Sequence, residues 1–170
     1  MAKRAKPPAD AACPRSPVTK PRSGSFRIEQ EVLLKAPLSK AWKSLLDVDA
    51  WWCHRYQPGS RLILEPVAGG RFAEVGPKGF EAIFGTVTFI QPRKLIRFTG
   101  PLGMHALPVN SVYSYELVEV AGGTMLRLSH HAIGLLDAGW AKSLESGWRE
   151  LWVNLAAFAE TGKRHRQSSK

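Results

Sequence analysis

The sequence predicts an α+β fold in which an antiparallel sheet is covered on one face by a single long C-terminal helix. Three observations carry that prediction. Between Ala138 and Thr161 large apolar side chains recur at helical spacing, with Trp140, Leu144, Trp148, Leu151, Leu155 and Phe158 on one face. Before this helix, about six runs rich in β-branched and aromatic residues succeed one another, and consecutive hairpins imply antiparallel pairing. The length, 170 residues, suits one domain with one core. Such a sheet has one apolar face to cover, and the last helix is rich enough in large apolar side chains to cover it.

Ser25 to Ala36 reads as a strand because Phe26, Ile28, Val32 and Leu34 fall mostly at alternate positions, and Pro37 stops it. Leu38 to Trp52 carries Ala41, Trp42, Leu45, Leu46 and Trp52 at helical spacing, with Ser39 near the start as a cap, and gives one or two short helices. The stretch EPVAGGRF, Glu65 to Phe72, places Gly69 and Gly70 between two extended runs. A phosphate cradle is usually followed by a helix, but RFAEV alternates as a strand does, so the pair marks a hairpin turn. Glu81 to Gln91 is a long β-rich run ended by Pro92, and KLIRFTG is its partner. Residues 101–108 read as a loop between prolines, and Val109 to Val120 as a further strand. Gly122 and Gly123 turn the chain into the last strand, Thr124 to Ile133. The final helix spans about 36 Å at 1.5 Å per residue, and Gly162 stands where a helix ends.

The formal net charge of +10 is concentrated at the ends. Residues 1–24 hold six Lys or Arg against Asp10 and residues 163–170 add four more, which leaves 25–162 within one charge of neutral. The first segment mixes Pro, Ala, Ser and basic residues without an apolar period, so a disordered basic tail is expected over 1–24, a domain over 25–162 and a basic C-terminal tail over 163–170. Tails of this kind attract any polyanion weakly, but no base-reading motif accompanies them and no specific nucleic-acid partner is expected. No continuous apolar stretch makes a secretory signal or a membrane span. Cys13 and Cys53 give no disulfide framework and fit a reducing compartment, so the expected location is the cytoplasm.

Five strings, in this order and spacing, carry a resemblance: VLLKAPLSKAWKSLLD, EPVAGGRF, FGTVTFIQPRKLIRFTG, YELVEVAGGTMLRLSHHAIG and GWRELWVNLAAF. The strings lie between residues 32 and 158, and they carry, over residues 26–160, a resemblance to the SRPBCC superfamily, the helix-grip proteins related to START domains and the birch-pollen allergen. The Glu-Pro…Gly-Gly-Arg-Phe hairpin and the Gly-Trp near the start of the long helix look most like the heat-shock-protein ATPase activator homologue-like branch, near the polyketide cyclase/dehydrase group. The resemblance implies a helix-grip fold, with the sheet curved around the C-terminal helix and two short helices after the first strand. It further implies a deep, mostly apolar cavity under that helix, used across the superfamily for lipids, sterols and polyketides. It implies no one reaction, since no shared catalytic motif exists to carry over.

Strand alternation says which side chains face such a cavity. In TMLRLSHH, Leu126 and Leu128 set the apolar phase, so His130 falls in with them while Arg127, Ser129 and His131 point outward. In VNSVYSYEL the phase of Leu117 contains Tyr115, Tyr113 and Ser111, which an antiparallel neighbour brings near His130. The expected ligand contacts are therefore Tyr113, Tyr115, Leu128, His130, Leu144, Trp148 and Trp152, although the tryptophans are equally accounted for as core and His130 as a strand-end residue held by hydrogen bonds or water. Cys53 and His54 are adjacent, without zinc-ligand spacing or a readable catalytic pairing, and Glu65, Glu74 and Glu81 are expected to face water. No catalytic residue, metal ligand or cofactor is assigned, as no nucleophile elbow, phosphate loop, dinucleotide fingerprint or metalloprotease motif occurs. The leading expectation is a binder of a small hydrophobic molecule. The rivals are a cyclase or dehydrase using His130 with Tyr113 or Tyr115, and a chaperone-associated interaction module; oligomeric state is not legible.

Overall fold

The computed structural model describes residues 23–136 and 138–165. Most of the 1–24 tail, Cys13 and residues 166–170 lie outside them. In chain order the elements are β1 (Gly24–Leu34), α1 (Leu38–Leu46), α2 (Val48–Trp51), β2 (Arg61–Leu64), β3 (Arg71–Val75), a 3-10 turn (Pro77–Gly79), β4 (Glu81–Gln91), β5 (Leu95–Gly100), β6 (Val109–Val120), β7 (Gly123–Gly134) and α3 (Ala138–Thr161). The seven strands form one antiparallel sheet in the order β1-β7-β6-β5-β4-β3-β2. The α+β class, the covering helix and the two short helices after the first strand are as the sequence predicts.

Register shifts between Phe72 and Ala73 against β4, and between Val87 and Phe89 against β5, bend the sheet around the helix. Gly85 makes that bend passable at β4, because a Cβ there would sit 2.4 Å from the buried Tyr113 hydroxyl. In the 65–70 connection Gly69 has φ +82°, the left-handed conformation that the turn reading asks for. One local expectation fails. Ser39 lies inside α1 and the cap position is Pro37, with no side-chain capping bond; the helix starts instead from Pro37, whose carbonyl accepts from the Lys40 and Ala41 amides. At the other end α3 stops at Gly162, whose amide donates to the Phe158 carbonyl at 2.8 Å. Residues 163–165 then run beside α2, with the His165 amide on the Ala50 carbonyl at 2.7 Å and Arg164 on Asp47 at 3.0 Å.

The core lies between the concave sheet face and α3, closed at one end by α1 and α2. It is strongly aromatic. Trp51, Trp52, Phe72, Phe84, Phe98, Tyr113, Tyr115, Trp148 and Trp152 form one continuous set of ring contacts. Among the described residues no helix is long and apolar enough to cross a membrane.

Candidate functional site

Alternation on β6 and β7 places the polar interior residues as their phase requires. Thr124, Leu126, Leu128, His130 and Ala132 are buried on β7, and Ser111, Tyr113, Tyr115 and Leu117 on β6. Tyr113 pairs directly with His130 across the ladder. From above, α3 lowers Trp148 onto them, and its indole Nε1 donates to His130 Nδ1 at 3.1 Å. An indole N–H can only donate, so Nδ1 accepts and the proton of the neutral imidazole sits on Nε2. That Nε2 is buried with no partner among the described residues, and so is the Tyr115 hydroxyl. The Tyr113 hydroxyl donates to the Phe84 carbonyl at 3.3 Å.

Burial, with the neighbouring His131 adding to it, pushes the His130 pKa down from its ordinary 6.5 to about 4. The unfolded chain therefore takes up a proton below about pH 6.5 that the folded chain refuses until about pH 4. The stability that this contributes is present in full above pH 6.5 and is lost as the pH falls through 4. The loss by pH 4 is expected to be about 3 kcal/mol. Urea denaturation at pH 7 and pH 4 checks this, because His130→Gln should flatten the wild-type decline by that amount. Parallel declines in the two proteins would show that His130 is not held neutral.

The cavity lies to one side of this patch. It has a volume of about 300 Å³ between the first half of α3, the segment after α2 and the loop after β5. Its apolar wall comes from Trp52, Phe84, Leu102, Leu144, Trp148 and Leu151, with Trp140 at its edge. His54, Arg55, Tyr56 and Ser143 supply polar groups at the rim. Of the seven expected contacts, Leu144 and Trp148 line this space, Tyr113, Tyr115 and His130 are buried against Trp148 without lining it, and Leu128 borders a separate groove with Gln30, Arg97 and Arg127. Trp152 borders a separate groove between α3 and β1, where its indole N–H donates to Gln30 Oε1 at 2.9 Å. Ring stacking explains the difference. Trp148 lies flat on Trp152 with centroids 5.1 Å apart, and Phe98 on Tyr113 at 4.9 Å, which fills the seam where a deep cavity was expected.

Two clamps hold the rim in place. Contrary to the expectation that it faces water, Glu74 on β3 is fully buried, because it shares the inward phase with Phe72. Its carboxylate accepts from the Tyr56 amide at 2.9 and 3.0 Å, the Gln57 amide at 3.0 Å and the Ser60 hydroxyl at 2.5 Å. Tyr56, so positioned, stacks on Phe84 and its hydroxyl meets the Gly103 carbonyl and His105 Nδ1, while His105 Nε2 donates to the Ile83 carbonyl at 2.6 Å. Arg55 pairs with Asp49 at 3.0 Å. The sequence reading missed Tyr56, Glu74, Phe84 and Leu102; for Glu74 the signal was its two-residue spacing from Phe72.

On the other side of the rim, the Cys53 sulfur, a His54 ring nitrogen and a Glu150 carboxylate oxygen from α3 lie within 4.8 Å of one another. Burial, and then the Glu150 charge, push the Cys53 thiol up to about 11, so it is not a thiolate nucleophile near neutral pH.

A family model described as Activator of Hsp90 ATPase homolog 1-like protein matches residues 35–160. Among solved structures, protein CV1439 from Chromobacterium violaceum is similar at 22% identity, with 79% of this chain and 96% of that chain covered and a TM-score of 0.59. The Aha1 dimer from Colwellia psychrerythraea is similar at 18% identity, with coverage of 81% and 98% and a TM-score of 0.59. Ara h 8.0201 is similar at 12% identity, with coverage of 81% and 99% and a TM-score of 0.60. At these identities the likeness is one of fold. No curated protein matches the chain at a significant level.

Proposed function

The chain belongs to the Activator of Hsp90 ATPase homolog 1-like protein family within the SRPBCC superfamily, and on that premise we propose that it binds a small hydrophobic or amphipathic molecule in the cavity beneath the start of α3. The observation that carries this reading is the cavity itself: an aromatic and aliphatic wall with a few polar groups gathered at one rim. That is the usual make-up of a small-molecule site, and about 300 Å³ is the lower end of the range for such sites. The apolar wall favours a ligand with a compact ring or short-chain body. The rim hydroxyls, His54 and the Asp49-paired Arg55 favour one polar end, oriented by hydrogen bonds.

The cyclase or dehydrase reading has less support. Tyr113, Tyr115 and His130 do not line the cavity, and His130 Nδ1 is already engaged by Trp148. Burial also raises both tyrosine hydroxyls well above their ordinary range, so neither is a ready general acid near neutral pH. Chaperone association draws its support from the family description alone.

Gly147 provides the test. It lines the cavity from α3, and a Cβ there would meet its nearest neighbour, His54 Nε2, at an ordinary 3.6 Å. Gly147→Leu should project a side chain into the cavity without strain, and it replaces a poor helix former with a good one. Tryptophan quenching with fatty acids, flavonoids and aromatic polyketides is expected to find ligands for the wild type. Gly147→Leu should weaken them at least about tenfold, the worth of about 1.4 kcal/mol, with a melting temperature equal to or above wild type. Ligands that bind the variant as well as the wild type would place their site elsewhere.

A further inference from the structure

Cys53 and His54 leave α2 at the cavity rim, and Glu150 faces them from α3. The two residues adjacent in sequence gain a third donor that their own spacing does not contain. His54 Nε2 and Glu150 Oε2 are 3.7 Å apart. Two ligands bound at about 2.1 Å to one tetrahedral ion stand about 3.4 Å apart, so this pair needs only a small adjustment to share an ion, and the Cys53 sulfur lies within 4.8 Å of both. As an ion pair the contact does little, since the two side chains are 50% and 61% exposed. Asn154, one turn beyond Glu150, adds an independent observation: its buried amide nitrogen lies beside the Cys53 sulfur and has no other hydrogen-bond partner among the described residues. An amide donor next to a cysteine sulfur is the outer support that a metal-bound thiolate ordinarily has.

We propose that Cys53, His54 and Glu150 form a three-ligand site for a divalent transition metal ion of zinc type, with a fourth position open beside the cavity. The donor set decides the class. Thiolate, imidazole and one carboxylate are zinc ligands, whereas magnesium and calcium take oxygen and demand more of it. Three protein ligands leave a tetrahedral ion one position short, the arrangement of sites that keep a water or an external ligand. His54 also lines the cavity, so that position adjoins it and would accept a water or an anionic oxygen on a cavity ligand. The thiol proton leaves on coordination, as a metal-bound thiol is deprotonated outright. The site does not rest on the cavity reading, because the metal alone tests it.

The experiment titrates the untagged full chain, freed of metal and kept reduced, with Co²⁺. Expected are a near-ultraviolet thiolate-to-cobalt charge-transfer band and the visible bands of tetrahedral cobalt, saturating at one equivalent and displaced by Zn²⁺. Cys53→Ser should abolish the charge-transfer band and Cys13→Ser should leave it intact. Glu150→Gln and His54→Ala should each weaken Co²⁺ binding at least about tenfold, while the metal-free proteins melt as the wild type does, since both side chains are half exposed or more. No band in the wild type would overturn the proposal, as would a band that survives Cys53→Ser or binding indifferent to Glu150→Gln and His54→Ala.

Discussion

Trp148→Ala is expected to destabilise the domain by about 3–5 kcal/mol, the range for large-to-small changes of a buried aromatic. Trp148 is 2% exposed and touches the rings of Trp52, Tyr113, Tyr115, His130 and Trp152. Deleting the indole joins the cavity to the interior of the aromatic set, and the stacked Trp152 cannot collapse into the gap, because its own N–H is tied to Gln30. A second loss follows. His130 would then have both ring nitrogens buried without a protein partner, where now only Nε2 is. Trp148→Phe keeps a ring against Trp152 while removing the donor and part of the indole's volume, for a smaller expected cost of about 1–3 kcal/mol. Equilibrium urea unfolding measures both. A loss under about 1 kcal/mol for Trp148→Ala would place the side chain outside the core.

The interior triad of Tyr113, His130 and Trp148 was legible because each part obeys a local period. Leu126, Leu128 and His130 alternate on one strand, Tyr113, Tyr115 and Leu117 on another, and Trp148 repeats with Leu144 and Leu151 on a helix, so that phase alone fixes which way each side chain points. The position of the cavity was not legible. It depends on how fully the aromatic rings fill the seam, and that is decided by packing among residues far apart in the chain. The same limit hid the Cys53, His54 and Glu150 cluster, whose members come from a connecting segment and a helix joined only by the fold. Glu74 is a different kind of miss. The alternation that places His130 inside also places Glu74 beside Phe72, against the general preference of carboxylates for water.

Glu74→Ala is therefore expected to cost about 3–5 kcal/mol, although no apolar contact is lost. The carboxylate is the acceptor for two backbone amides and one hydroxyl, at Tyr56, Gln57 and Ser60. Each donor left without a partner costs about 1–3 kcal/mol, reduced where water enters the space vacated. The damage should be directional. Tyr56, Gln57 and Ser60 are all bonded to β3 through this side chain, and Tyr56 carries the rim of the cavity and the link to the 101–108 loop through Gly103 and His105. Hydrogen exchange should accordingly speed up at the Tyr56 and Gln57 amides far more than along β6 and β7, and a cavity ligand should bind Glu74→Ala more weakly than the stability loss alone explains. Glu74→Gln keeps one acceptor oxygen but turns an NH₂ group towards amides that can only donate, so it should recover only part of the loss. If both amides exchange at the wild-type rate in Glu74→Ala and the cost is under about 1 kcal/mol, the segment is held by its aromatic contacts and the buried carboxylate is not its anchor.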